Sequence, residues 1–298
     1  MISAERHAAL SAWVFLSPAL LLIAVFFFLP VLAALLLSFT DFDIYALGDL
    51  NRLRFVGLAN YGQLLQSPLF WTALGNTLYF VVVGGPLSVA VSLGAALLVN
   101  SHLTRFPGLF RTAFFLPVVT TLVAVAMVWR YLYHPRYGLM NYGLSWLGIE
   151  PIDWLGDPVW AMPAIILMAV WKNFGFNMII FIAGLQNIPP QLYEAARIDG
   201  ASAWRQFRYI TLPLLGPTFL FVALMTMIGY FQVFAEPYVM TQGGPANRTV
   251  SVVLLMYEEG FRWWNIGYAS AAAFVLFALI LAVTVLQLKW RRRSAMGL

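Results

Sequence analysis

Six apolar runs, near residues 12–39, 73–99, 112–129, 159–186, 214–236 and 266–288, dominate this chain of 298 residues. A helix needs about 20 consecutive apolar residues to cross hydrocarbon, and inside lipid its backbone groups must be satisfied within the segment itself. Each run is at or close to that length. The chain is 62% hydrophobic and 10% charged, against about 45–50% and about 25% for soluble domains, so a water-soluble fold is excluded. The connections are too short for a separate soluble domain. The pattern predicts an all-α polytopic membrane protein, with a short segment over 1–11 and a six-helix transmembrane domain over 12–298. Arg6 precedes the first run, but the run exceeds a signal-peptide core of about 7–15 residues and lacks a convincing cleavage site, so it reads as a retained span.

Several chemistries are missing from the sequence. Cysteine is absent, and His7, His102 and His134 form no zinc-binding pattern. No GxxxxGK[ST] loop occurs, and neither lysine, Lys172 or Lys289, follows a glycine. No carboxylate pair or nucleophile with its base stands out, so no catalytic residue, metal site or cofactor site is expected in the chain. The net charge of +5 comes from basic residues scattered between spans, which marks topology rather than nucleic-acid binding.

Positive residues concentrate on the cytoplasmic side of bilayers. Placing both termini, 100–111 and 187–213 inside gathers Arg6, Arg105, Arg111, Arg197, Arg205, Arg208, Lys289 and Arg291 to Arg293 there. The opposite loops hold Arg52, Arg54, Arg130, Arg136, Arg248 and Arg262 over more residues, together with Asp41, Asp43, Asp49, Glu150, Asp153, Asp157, Glu258 and Glu259. Within the second run, Gly84, Gly85 and Pro86 weaken the helical ladder and predict a kink or a close helix contact.

The segment 187–213 is patterned unlike a loop. Pro189 and Pro190 can open a helix, Gly200 can end it in the left-handed region, and Ser202 can cap a second helix that Pro213 is expected to stop. Glu194 and Asp199 beside small alanines form an acidic knob suited to a groove on another protein, whereas a helix lying on lipid prefers a basic polar face.

The string EAARIDGASAWRQFRYITLP, Glu194 to Pro213, matches the EAA loop of binding-protein-dependent ABC importers at every fixed position. Its surroundings, with FLSPALLLIAVFFFLPV from Phe15, FRTAFFLPVV from Phe110 and MTQGGPANRTVSVVLLMYEEGF from Met240, resemble the carbohydrate-uptake permeases of maltose, lactose and glycerol-phosphate systems. The resemblance implies the type I ABC importer permease fold in a bacterial or archaeal cell membrane, with Glu194, Ala195, Ala196, Asp199 and Gly200 as the core of a coupling helix. Ile210, Leu212 and Pro213 then set the path into the fifth span. It also implies a second homologous permease, a dimer of ATP-binding subunits that carries ATP and Mg, an extracytoplasmic solute-binding protein and a sugar substrate.

Lys172 lies near the middle of the fourth run, where a charge by default marks a water-lined path or an ion pair; Asn173 and Asn177 follow. Gln232 and Glu236, spaced i, i+4, are expected on one face of the fifth span. These five residues are candidates for a substrate pathway, with Trp171, Phe174 or Phe231 as stacking partners. Equally, Lys172 can pair with Glu236, and asparagines can bridge helices. The outer loop 237–265 would face the binding protein. A glycerol-phosphate carrier and an ion-coupled secondary transporter are the alternatives; the latter usually has an internal repeat, and none is evident.

Overall fold

The computed structural model describes the backbone of residues 2–47, 53–101 and 104–296, and the side chains within 13–44, 46, 53–101 and 104–289. Asp49, Arg52 and His102 lie outside the described residues, as do the side chains of Arg6, His7 and Arg291 to Arg293. Four helices have the length and hydropathy of a span: α1 (Trp13–Leu37), α2 (Pro68–Val99), α5 (Ala161–Gln186) and α10 (Ile266–Lys289, the apolar part of Ile266–Met296). Two further segments have the composition of a span but are bent pairs, each a broken span or a re-entrant loop: α3 (Pro107–Val119) with α4 (Leu122–Leu132) at 99°, and α7 (Ala203–Leu214) with α8 (Gly216–Phe231) at 68°. The short helix α6 (Pro190–Ile198) precedes α7, and α9 (Ala235–Met240) follows α8.

Contacts divide the chain into two units, Met1–Ser67 with Met256–Val275, and Pro68–Leu255 with Leu276–Leu298. In the first, α1 buries no residue and is exposed throughout 13–33, as a helix surrounded by lipid would be. At its end, Asn60 donates to the Ser38 and Thr40 carbonyls at 2.9 and 2.8 Å, and Ser38 shares a 2.8 Å bond with the Tyr61 hydroxyl. Gly267 lets its helix touch this corner, because a Cβ there would meet the Thr40 carbonyl oxygen.

In the second unit, α2, α5 and α8 pack around Val89, Ala96, Met178, Phe181, Leu185 and Val222. Gly84, Gly85 and Pro86 do not break α2. A wide π turn over Phe80–Gly84 absorbs the amide that Pro86 lacks, and Gly84 admits the Tyr230 ring where a Cβ would stand 2.9 Å from Cε2.

Three expectations are corrected. The run 112–129 is no single helix: Thr120 and Thr121 are extended, and Thr120 Oγ1 donates to the Pro117 carbonyl at 2.6 Å. Pro117 lacks the amide of a regular interior position, and the helix ends two residues later, at Val119. Secondly, 214–236 is interrupted at 232–234, so that Pro237 falls in the first turn of α9, where a missing amide costs nothing. Gln232 and Glu236 therefore do not share a helical face. Thirdly, Pro213 does not stop the second cytoplasmic helix. A π turn over Phe207–Thr211 precedes it, and α7 continues to Leu214 before bending at Leu215.

Candidate functional site

The elbow between α6 and α7 forms as its caps dictate. Gly200 takes φ +72°, the Ala201 amide donates back to the Ala196 carbonyl at 2.8 Å, and the Gly200 amide donates to the Arg197 carbonyl at 3.1 Å, the Schellman arrangement that closes a helix C-terminus. Ser202 Oγ accepts from the Arg205 amide at 3.4 Å and so caps α7. Gln206 donates to the Ala201 carbonyl at 2.8 Å, and the Tyr193 and Thr211 hydroxyls meet at 2.9 Å across the corner. Tyr193 and Ile210 pack against the core formed by α2, α5 and α8. The elbow is thus a stiff bracket rooted in the spans.

Its outer surface is open. Glu194, Ala195, Asp199 and Gly200 are exposed and Ala196 half-buried, while Ile198 at the tip is 86% exposed. Leu212 is half-buried and Pro213 exposed where α7 turns toward α8. The tip is apolar, flanked by two carboxylates, and makes no ion pair among the described residues.

A cavity of about 340 Å³ lies among α2, α5, α8 and the start of α9, lined by Phe80, Asn173, Asn177, Thr226, Tyr230 and Glu236 among others. Asn177 donates to Thr226 Oγ1 at 2.9 Å, bridging α5 and α8, and Asn173 donates to the Ala169 carbonyl at 3.0 Å. Each keeps an amide oxygen for other use. Tyr230 and Ser88 are buried with hydroxyls that make no well-formed hydrogen bond among the described residues; Ser88 and Asn173 are the side chains that face the Tyr230 hydroxyl.

The sequence-derived pathway residues divide here. Asn173, Asn177 and Glu236 line the cavity; Gln232 is exposed and does not. Lys172 is 7% exposed but is not part of the lining, because its ammonium donates to the Val118 carbonyl at the end of α3, 3.0 Å away. No ion pair within 4.0 Å joins it to Glu236 among the described residues. Trp171 and Phe174 line a different, apolar cavity of about 690 Å³ inside the α3–α4 bend, where Trp171 meets Trp129 at 5.4 Å and Phe174 meets Phe114 at 5.5 Å. Phe231 is fully buried. Sequence reasoning missed Tyr230 and Ser88; the one signal was the helical spacing of Ser88 from Gly84, which puts a hydroxyl beside the small-residue contact.

Residues 8–294 match the family model described as the binding-protein-dependent transport system inner membrane component. The chain belongs to that family. Among its relatives is the lactose transport system permease protein of Rhizobium radiobacter, 39% identical over 290 residues, covering 96% of this chain and 95% of the relative. The trehalose/maltose transport system permease protein of Thermococcus litoralis is 36% identical over 95% of this chain and 94% of its own. The arabinooligosaccharides transport system permease protein of Halalkalibacterium halodurans is 35% identical over 93% and 86%. A bacterial ABC transporter involved in the import of the acidic polysaccharide alginate shares the fold, with TM-score 0.84 and 23% identity over 98% of both chains. This inner membrane component is therefore a transport-system permease with the all-α importer fold, and its apolar helices are membrane spans.

Proposed function

We propose that this permease is one of two homologous transmembrane subunits of an ATP-driven importer that moves a di- or oligosaccharide into the cell by alternating access. Both termini and the α6–α7 elbow face the cytoplasm. A separate pair of ATP-binding subunits receives the elbow, and an extracytoplasmic binding protein delivers the sugar. ATP and Mg are held by those subunits, so the chain performs no catalysis of its own.

The observation that carries this reading is the bracket itself. Glu194, Ala195, Ile198, Asp199 and Gly200 are exposed at the tip, while Tyr193 and Ile210 at its base press on the helices that enclose the 340 Å³ cavity. A displacement at the tip reaches the cavity through helices rather than through a tether, which is the requirement for coupling two distant events. The cavity favours sugar over a phosphate ester: its lining offers amide, hydroxyl and carboxylate groups with Phe80 and Phe176, and no lysine or arginine is among them. The relatives named for lactose, trehalose/maltose and arabinooligosaccharides agree with that chemistry.

The test is reconstitution of the four kinds of subunit in proteoliposomes. Uptake of sugar that depends on ATP and on the binding protein supports the proposal; uptake by the permeases alone, driven by an ion gradient, overturns it.

A further inference from the structure

A third pocket lies toward the end of α2 that begins at Pro68, next to the loop after α9, apart from both cavities already described. It has a volume of about 490 Å³, within the usual range of about 300–1,000 Å³ for small-molecule sites. One wall is the α2 face carrying Trp71, Gly75, Asn76 and Tyr79; Arg248 comes from the loop. Trp71 and Tyr79 are eight residues apart, which is about 12 Å along a helix at 1.5 Å per residue, so the wall is longer than one sugar ring.

The loop that presents Arg248 is held in a costly shape. Gln242, Ala246 and Asn247 have φ of 51°, 47° and 59°, a region that non-glycine residues occupy at about 1–3 kcal/mol each and that clusters at ligand-binding sites. Two sets of bonds fix it. The Thr241 and Thr249 hydroxyls meet at 2.6 Å and Thr249 donates to the Gly244 carbonyl at 2.7 Å; Asn76 Nδ2 donates to the Asn247 and Val250 carbonyls at 2.8 and 2.9 Å. Asn76 thereby spends both donors on the loop, and its Oδ1 remains an acceptor beside the pocket. The Arg248 guanidinium has no hydrogen bond or ion pair among the described residues, and no acidic residue lines the pocket. Gly75 completes the floor: a Cβ there would meet nothing within 4 Å, so neither internal packing nor a positive φ demands glycine. The small residue simply leaves the space empty.

We infer that this pocket is a carbohydrate subsite distinct from the central cavity, in which a pyranose ring lies on Trp71 and directs its oxygens at Arg248 and Asn76. Indole and phenol faces cover the apolar face of a sugar while their edges stay wet, and the planar guanidinium fork matches paired oxygens. The inference rests on the sugar-import reading above and adds a stage to it: cargo is held at the outer mouth before it enters the central cavity.

The experiment uses the complete transporter with its binding protein in proteoliposomes, probed with lactose, maltose, trehalose and arabinotriose. If the wild type takes up none of these, the sugar reading itself fails and the subsite with it. Given uptake by the wild type, Trp71→Ala, Arg248→Gln and Gly75→Leu are each expected to raise the KM for sugar at least fivefold, with wild-type assembly and basal ATPase. Gly75→Leu fills the pocket without removing any bond. Wild-type KM in Trp71→Ala and Gly75→Leu overturns the subsite. So does loss of assembly, which would mean that a partner subunit occupies the pocket. Loss of binding-protein stimulation at saturating sugar with KM unchanged overturns it too, because the surface would then dock protein.

Discussion

The Lys172 ammonium donates to the Val118 carbonyl at 3.0 Å, tying the middle of the fourth span to the broken end of the third. The last carbonyls of a helix have no intrahelical partner and carry the negative end of its dipole. In a membrane interior no bulk water replaces that partner. Lys172 therefore satisfies the end of α3 instead of reaching toward cargo, and Gly175, one turn on, lets α3 lie against α5 where any Cβ would strike the Phe114 carbonyl.

Lys172→Met should accordingly impair the fold before it impairs recognition. The orphaned carbonyl costs about 1–3 kcal/mol, so the assembled transporter should melt earlier in detergent and be recovered in lower yield, with its KM for sugar unchanged. Lys172→Arg, which keeps a donor, should restore most of the loss. A raised KM with normal assembly and melting would place Lys172 on the pathway.

The Tyr230 hydroxyl makes the opposite prediction. It is buried with no well-formed hydrogen bond among the described residues beside a cavity it lines, so Tyr230→Phe should leave melting unchanged or raise it. Sugar uptake should weaken, with a KM increase of roughly tenfold if the hydroxyl gives one hydrogen bond to cargo worth about 1.4 kcal/mol. Transport kinetics and a thermal melt on the same preparation decide between this and a purely structural tyrosine.

Gly200 tests the bracket. A side chain would meet nothing within 4 Å, but the backbone stands at φ +72°, where an ordinary residue costs about 1–2 kcal/mol. Gly200→Leu should shift the corner and present bulk at the docking tip, lowering uptake and sugar-stimulated ATPase together. Gly200→Asn, which tolerates this region, should retain more of both. Normal uptake, ATPase and assembly in Gly200→Leu would remove the elbow from the coupling path.

Outside the spans, Asp41 gives a pH prediction. Its carboxylate accepts from the Arg54 amide at 2.7 Å and from the guanidinium at 2.9 Å, and the amide bond first, then the guanidinium, hold its pKa below the ordinary value of 3.8. A depressed carboxyl contributes order that is fully present above the unfolded value and fades as pH falls through the folded one. Protection of the Arg54 amide from hydrogen exchange should therefore persist at pH 4 and decline only in stronger acid. Arg54→Ala should shift that decline upward.

Much of this architecture can be read in the residues themselves. The four long spans begin and end within a few residues of their hydropathy limits, and the corner at Gly200 with its Ser202 cap follows from local backbone chemistry alone. The breaks at Thr120 and Gln232 could not be read from hydropathy, which registers how apolar a stretch is and not its direction. Pro117 and Pro237 were the available signals, and each acts through one missing amide that the apolar residues around it obscure. Lys172 shows a different limit. Its cost in lipid was evident, but its partner is a main-chain oxygen 54 positions away in the sequence, and carbonyls look alike in every residue. Tyr230 escaped notice because a hydroxyl on an aromatic ring leaves the run around it apolar.

The right angle at Thr120 also bears on biogenesis. Pro107–Val119 and Leu122–Leu132 are each too short to traverse the bilayer, and the Val118 carbonyl at the turn joining them depends on the Lys172 ammonium for its hydrogen bond. A nascent chain released into the membrane after this segment would hold an unfinished corner until Ala161–Gln186 emerges from the ribosome and brings its lysine. The third segment is therefore expected to wait at the insertion machinery and to enter the bilayer together with the fourth.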